Sequence, residues 1–449
     1  MIEQLVILGA TGDLTARFLL PALGALRAGG HLDERFGLTG VGREDWTDDA
    51  FRAWAAQCLD RHAPDVPAAH RREVVAAARY RRADVTDPAA LAAVIPPDRP
   101  VAAYLALPPS IFPAAVSALH GAGTAAGSTI VLEKPFGESL HDAVELNRLL
   151  SGLYPEPSVF RVDHFLAMPT VRNILGVRLA NRVLEPIWNS AHIERVDIVW
   201  DESLALEGRA AYYDGVGALK DMLQNHLLQL LCLVAMEPPI SLGDRDLRDR
   251  KVDVLRSVRP LTPHDVVHRT RRARYGAGAG RPAYVDEAGV DPQHHTETFA
   301  EMLLELDNWR WPGTVFRLRT GKALRADRQE VAVHFRPVPH LPFGDDGTAA
   351  PNVLRFGLQP ESVALHLTGT TTGGDGLTPL TLAATPDPGE LPAYGRLLLD
   401  VLNRDPALSI RADEAEESWR VVTPVLEAWA KDLVPLEEYP AGSDGPAPR

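Results

Sequence analysis

Residues 3–30 read EQLVILGATGDLTARFLLPALGALRAGG. An unbroken apolar run predicts a buried strand. A glycine turn follows, and then apolar residues spaced for one face of a helix that ends at Gly29-Gly30. FGLTGVGRED predicts a second strand ending in a Gly-flanked arginine. VAAYLALPPSIF and STIVLEKPFG predict two more short strands that run into Pro- and Gly-containing loops. Helical stretches lie between these strands, so the first part of the chain reads as a parallel sheet with helices on both faces, to about residue 160.

Beyond that point the period changes. HIERVDIVWDE, TFAEMLLELDNW, VFRLRTGKAL, EVAVHFRPV, NVLRFGLQP and SVALHLTGTT alternate apolar and polar positions with few helices between them. They predict a large antiparallel sheet. DMLQNHLLQLLCLVAM and ADEAEESWRVVTPVLEAWA predict helices packed on it. RYGAGAGRPAYVDEAGVDP reads as a surface loop, and HRTRRAR (268–274) as a solvated loop or strand edge. The expected architecture is an α/β Rossmann-like domain over 1–160 and an α+β domain with a large antiparallel sheet over 161–449.

The 449 residues suffice for more than one sizeable core. A formal net charge of −14 argues against a nucleic-acid partner, while leaving room for a small anionic ligand held by a local cluster of donors. Cys58 and Cys232 form neither a metal-type spacing nor a disulfide framework, which suits a reducing compartment. The first residues run straight into a strand, without a basic and apolar leader, and no apolar run is long enough for a bilayer. A cytoplasmic location with no membrane partner is the expectation. His294-His295 lack further ligand-spaced partners, so no metal is expected.

Gly9, Gly12, Asp13 and Leu14 form G-x-x-G-D-L between strand and helix. Glycine lets backbone approach a pyrophosphate, and a helix N-terminus offers free N–H groups. Many strand-to-helix turns need glycine for geometry alone, but this one opens a βαβ pattern. Arg43, at the end of the second strand, suits a ribose 2′-phosphate where an acid would suit a 2′-hydroxyl. Arg17 is placed to assist, whereas Glu44 and Asp45 would oppose a phosphate if they pointed inward. The expected cofactor is NADP, with NAD as the alternative.

The chain resembles glucose-6-phosphate dehydrogenase. The resemblance rests on GATGDL, YLALPPS, EKPFG, RVDHF, EGRAAYYD, DMLQNHLLQ, RDRKVDVLR, RLRTGKAL, LLLDVLNRD and YPAG, in order along nearly the whole length. It implies oxidation of a sugar at C1 to a lactone with hydride transfer to NADP, and a homodimer or homotetramer formed through the large sheet. Such chemistry needs a base for the hydroxyl proton and a sugar held against the nicotinamide. By resemblance, His226 is the base, Asp163 orients it, and Lys134 lies between the sugar hydroxyls and the nicotinamide end. Pro135 would set the loop that links the two sites. A lone His on an apolar helix reads as core; Asp163 is what makes His226 a candidate. Glu207, Asp221 and Lys322 are expected to bind the sugar, and Tyr104, within YLALPPS, joins the cofactor set.

One stretch departs from the family pattern, which is approximately R-I-D-H-Y-L-G-K-E. This chain reads R-V-D-H-F-L-A-M-P over 161–169. By resemblance the His, Tyr and Lys of that pattern hold the 6-phosphate, and only His164 survives. Phe165 and Met168 remove a hydroxyl and an ammonium, a loss of roughly 2–5 kcal/mol per desolvated charge-assisted contact. Lys322 is expected to compensate in part, and Pro169 to reshape the loop. Three readings follow. The first is a glucose-6-phosphate dehydrogenase with a modified phosphate pocket. The second is a dehydrogenase of a non-phosphorylated or otherwise substituted hexose, and the third a non-catalytic cofactor-binding paralogue.

Overall fold

The computed structural model describes residues 1–343, 349–370, 376–387 and 389–447. The chain forms two compact units. The first comprises residues 1–169, 239–249 and 388–416, and the second comprises 170–238, 250–387 and 417–449. The sequence expectation of a division at 160 therefore differs in two respects. The first unit runs on to 169, and two later segments return to it.

In the first unit, strands β1 (Gln4–Leu8), β2 (Gly37–Gly42), β3 (Ala78–Arg82), β4 (Ala102–Leu105), β5 (Thr129–Glu133) and β6 (Val159–Val162) form a sheet of order β3-β2-β1-β4-β5-β6. Every pairing is parallel. The inner strands are buried on both faces, which is why QLVIL and TIVLE read as continuous apolar runs. The order reverses between β1 and β4, and in such sheets a ligand crevice lies at the carboxyl ends of the strands at that point. The helix Leu20–Ala28 ends at Gly29, followed by Gly30 at φ +69°, as the glycine pair predicts. The late helix Ala393–Asn403 belongs here because Leu397, Leu398, Val401 and Leu402 join the core of Leu5, Ile7, Leu19 and Leu23.

The second unit carries a nine-stranded sheet. Its strands are β7 (Ile193–Asp201), β8 (Thr270–Gly276), β9 (Phe299–Leu304), β10 (Val315–Gly321), β11 (Arg328–Phe335), β12 (Val353–Gln359), β13 (Glu361–Thr370), β14 (Leu377–Ala384) and β15 (Leu436–Pro440), in the order β14-β13-β12-β11-β7-β10-β9-β8-β15. Most neighbours are antiparallel; β7 with β10 and β8 with β15 are parallel. Thr371, at the end of the SVALHLTGTT stretch, lies outside the described residues. The predicted helix at 221–236 is observed as a π-helical segment, Leu219–Leu227, continuing as an α-helix over Leu228–Ala235.

HRTRRAR is neither loop nor solvated edge. Residues from Thr270 onward form β8, held between β9 and β15. Arg272 is buried, donating to the Val434 carbonyl at 2.9 Å and to Asp432 at 2.7 Å. Arg271 meets Glu437 and Arg274 meets Glu438 across the β8–β15 pairing, so strand pairing neutralises the basic run.

Candidate active site

At the head of β1, Gly9 adopts φ +82°, and a Cβ there would lie 2.3 Å from the Ala106 carbonyl oxygen. Only glycine fits so close to the end of β4. Gly12 has no comparable crowding, its nearest neighbour being the Gly9 carbonyl oxygen at 3.4 Å. The chain then enters helix through Asp13 and Leu14, and exposed Asp13 pairs with Arg17 at 3.3 Å. A tight glycine turn opening a helix beside the strand-order reversal fits a dinucleotide pyrophosphate. When bound, a nicotinamide dinucleotide supplies the hydride acceptor.

Arg43 is exposed just past β2. Glu44, beside it, is exposed as well, but its carboxylate is anchored. Tyr80 donates its hydroxyl to the Glu44 carboxylate at 3.1 Å. The Thr11 hydroxyl and the backbone N–H groups of Arg43 and Glu44 also bind Glu44.

At the end of β5, Glu133 precedes Lys134 and a cis Lys134–Pro135 peptide. Tyr104 and Tyr394 both hydrogen-bond Glu133. Burial pushes the Glu133 carboxyl up to about 7, with a further push from the Asp163 charge; the Tyr104 hydroxyl and the Lys134 ammonium act against it. The Tyr104 side chain is fully buried with its hydroxyl on Glu133, so only its backbone remains available to a cofactor. Sequence reasoning passed over Glu133 and Tyr394. Glu133 was visible only as the residue before Lys134, and Tyr394 lies some 230 positions after His164.

Asp163 is buried after β6, and one of its oxygens accepts the Phe165 N–H at 3.0 Å. That bond caps the short 3₁₀ turn His164–Ala167. His164 stacks on Tyr394 with ring centroids 5.4 Å apart and meets Phe165 edge-on at 5.0 Å. Phe165 is buried and Met168 half-buried. Pro169 is the first residue of the helix Pro169–Leu179, a position where proline's missing N–H is not needed. Its role is to start that helix, which accounts for a proline at this point of the sequence.

The second unit holds the other candidates. The parallel register aligns Gly321 of β10 with Asp201 of β7, so the residues that follow, Lys322 and Glu202, emerge side by side. Lys322 Nζ lies 2.5 Å from Glu202 and 3.9 Å from Asp221, over the ring of Tyr213. Asp221 and His226 share the segment Leu219–Leu227. His226 is buried, and its backbone N–H donates to Asn225 Oδ1 at 2.6 Å.

Buried Glu297 holds the start of that segment. Its carboxylate accepts the Leu219 N–H at 2.9 Å and its carbonyl accepts the Ala218 N–H at 3.1 Å. Burial pushes its carboxyl up to about 7. Glu207 is exposed on a turn at φ +49°, followed by Gly208 at φ +82°. Of the two acids, Glu202 is the one beside Lys322 and Asp221. With both carboxylates at hand, Lys322 is largely neutralised locally, which weakens the expectation that it compensates for Met168 at a phosphate.

Two family models match the chain. "Glucose-6-phosphate dehydrogenase, NAD binding domain" covers residues 6–173, and "Glucose-6-phosphate dehydrogenase, C-terminal domain" covers 175–449. A glucose-6-phosphate 1-dehydrogenase of Mycolicibacterium smegmatis is 40% identical, covering 98% of this chain and 94% of its own. That of Zymomonas mobilis is 37% identical, covering 99% and 96%. Among solved structures, a glucose-6-phosphate dehydrogenase in complex with its substrate glucose-6-phosphate superposes with a TM-score of 0.91 at 30% identity, over 99% of this chain and 96% of that one. Glucose-6-phosphate 1-dehydrogenase from Mycobacterium avium superposes with a TM-score of 0.88 at 33% identity, over 99% and 95%. With a parallel dinucleotide-binding sheet, a large mostly antiparallel sheet, and a match to family relatives along nearly its whole length, the chain belongs to the glucose-6-phosphate dehydrogenase family of NAD(P)-dependent oxidoreductases.

Proposed function

We propose that the protein oxidises C1 of glucose 6-phosphate to the lactone, passing hydride to NADP bound at the Gly9–Leu14 turn. His226 takes the C1 hydroxyl proton, Asp163 orients the imidazole and stabilises its cation, and Lys134 contacts the sugar beside the nicotinamide. Glu202, Asp221 and Lys322 hold hydroxyls, for which carboxylates and an ammonium supply acceptors and donors. His164 contributes to the phosphate end. Gly12, Asp13, Leu14 and Arg43 complete the cofactor set. The observation that carries the reading is the Lys322–Glu202–Asp221 cluster, whose Asp221 shares one helical segment with His226.

A second reading, oxidation of a non-phosphorylated or otherwise substituted hexose, is favoured by one specific feature. Phe165 is buried as an apolar side chain, and Lys322 already has two carboxylates beside it. The test is NADPH formation by the purified protein with glucose 6-phosphate and with glucose over a wide concentration range. Saturation by the phosphate at low concentration, with glucose inert, supports the first reading. Turnover of glucose without preference for its phosphate supports the second. His226→Asn should abolish either activity; turnover that survives it would remove His226 as the base. A non-catalytic paralogue would bind dinucleotide and turn over no sugar.

A cytoplasmic homodimer or homotetramer assembled through the nine-stranded sheet completes the proposal. The assembly is supported by the family resemblance, and the compartment by Cys58 and Cys232, both buried and not in a disulfide. Among the described residues, no helix is long and apolar enough to cross a membrane.

A further inference from the structure

In parallel nucleotide-binding sheets the residue at the end of the second strand meets the adenosine ribose. An acid there accepts the 2′-hydroxyl, whereas an arginine accommodates a 2′-phosphate. This chain places both residue types at that point, Arg43 and then Glu44, immediately after β2 (Gly37–Gly42). Both residues are exposed, and they differ in what holds them. Arg43 is an exposed side chain. Glu44 accepts the Tyr80 hydroxyl at 3.1 Å, and the Thr11 hydroxyl of the glycine turn and nearby backbone N–H groups favour its charged form. Tyr80 also donates to the Glu44 carbonyl at 3.2 Å.

Glycine at position 42 makes room for this. A Cβ on Gly42 would lie 2.6 Å from both Glu44 Oε2 and the Tyr80 hydroxyl. The carboxylate of this exposed residue is thereby held beside the Tyr80 hydroxyl, at the end of β2. The neighbouring charges do not cancel it. Asp45 faces Arg82 at 3.4 Å, and Asp48 faces Arg81 at 3.0 Å. Asp84 lies in the field of Arg43, which shares that arginine's charge with a second acid. The donors around Glu44, its own backbone N–H first, hold its carboxyl below the usual carboxylate range.

We propose that Glu44 is a specificity-determining residue for the cofactor: a fixed carboxylate at the ribose 2′ position that opposes a 2′-phosphate and narrows the advantage Arg43 gives NADP over NAD. The inference rests on the proposed use of a nicotinamide dinucleotide at the Gly9–Leu14 turn and adds the residue that sets the choice between the two forms. A roughly dianionic phosphate about 5 Å from a carboxylate in water-like surroundings is penalised on the order of tenfold in affinity.

The test is direct binding, followed by the fluorescence of NADH and NADPH, for the wild type, Glu44→Gln and Glu44→Thr. The glutamine keeps the shape and an acceptor for Tyr80 and Thr11; the threonine removes the carboxylate entirely. In both variants the NADPH-to-NADH affinity ratio should rise on the order of tenfold. A rise below threefold in both overturns the proposal. The wild-type penalty on NADPH should also shrink with added salt. Binding is read without sugar, so failure of the proposed sugar oxidation leaves this result intact. Failure of the wild type to bind either dinucleotide would overturn the cofactor reading and this proposal with it.

Discussion

Replacing Glu202 by glutamine separates two acids that look equivalent in the sequence. Lys322 Nζ lies 2.5 Å from Glu202 Oε2, with the lysine side chain 13% and the glutamate side chain 27% exposed. Glutamine keeps the size and one acceptor oxygen but replaces an ion pair by a bond from the Lys322 ammonium to a neutral amide, removing the carboxylate's charge. A hydrogen bond involving a charged group is worth about 1.5–3 kcal/mol, so the most that can be lost is a contribution of that size. Lys322 would lose its nearer partner and move toward Asp221, now 3.9 Å away. Both groups would leave the geometry in which they hold sugar hydroxyls. If the full charge-assisted interaction is lost to the transition state, kcat/KM falls roughly ten- to 150-fold. Glu207→Gln alters an exposed side chain on a turn and should leave kcat/KM within about twofold. The assay is steady-state dehydrogenation with saturating dinucleotide, run on both variants beside a thermal melt that verifies folding. A larger loss in Glu207→Gln than in Glu202→Gln would refute the assignment of the sugar-binding acid to Glu202.

Three further outcomes follow from the geometry. Glu133→Gln should remove a pH-dependent penalty: with its folded pKa raised from 4.5 to about 7, Glu133 holds its proton in the folded state where the unfolded chain has released it, so its contribution is present below 4.5 and is lost as pH rises through 7. The variant should therefore gain up to about 3 kcal/mol on the wild type between pH 5 and pH 8.5, read from urea midpoints; a difference that stays constant with pH would contradict the burial of that carboxyl. Gly9→Ala should lower dinucleotide affinity at least about tenfold in a fluorescence titration, because the added methyl meets the Ala106 carbonyl and the backbone sits at φ +82°. Arg161→Met should destabilise the fold by about 1–3 kcal/mol in denaturant unfolding, since Arg161 is 1% exposed and bonds Glu156 at 2.8 Å and buried Asn147 at 3.0 Å, and its loss leaves the Asn147 oxygen without that donor.

What was legible in the sequence is what local period and local chemistry encode. QLVIL and TIVLE announce inner parallel strands because burial on both faces leaves no polar alternation. The glycine turn is legible because Gly9 is required by a contact only one strand away. What depends on distant pairing was not. β15, LEEYP, has no apolar alternation to show; it is a strand because Glu437 and Glu438 face the arginines of β8, about 165 residues earlier. The same pairing made HRTRRAR look solvated. Glu202 was missed for a similar reason. The motif around Glu207 is the more distinctive string, whereas the parallel register between β7 and β10, which no spacing within either strand reveals, sets Glu202 beside Lys322. Tyr394 reaches His164 and Glu133 only because a late helix folds back onto the first unit.

That return of the chain also governs how the protein is made. The Ile2 N–H donates to the Leu402 carbonyl at 2.7 Å, and Leu397, Leu398 and Leu402 complete a core begun by Leu5 and Ile7. At a synthesis rate of about 5–20 residues per second, the amino-terminal strand waits on the order of 20–80 s for its partner helix to leave the ribosome. During that interval the apolar face of the first helices is uncovered, and the nascent chain is a natural client for chaperones that shield exposed hydrophobic surface. A stop codon anywhere before residue 400 would therefore remove the packing of the cofactor domain as surely as it truncates the sugar domain.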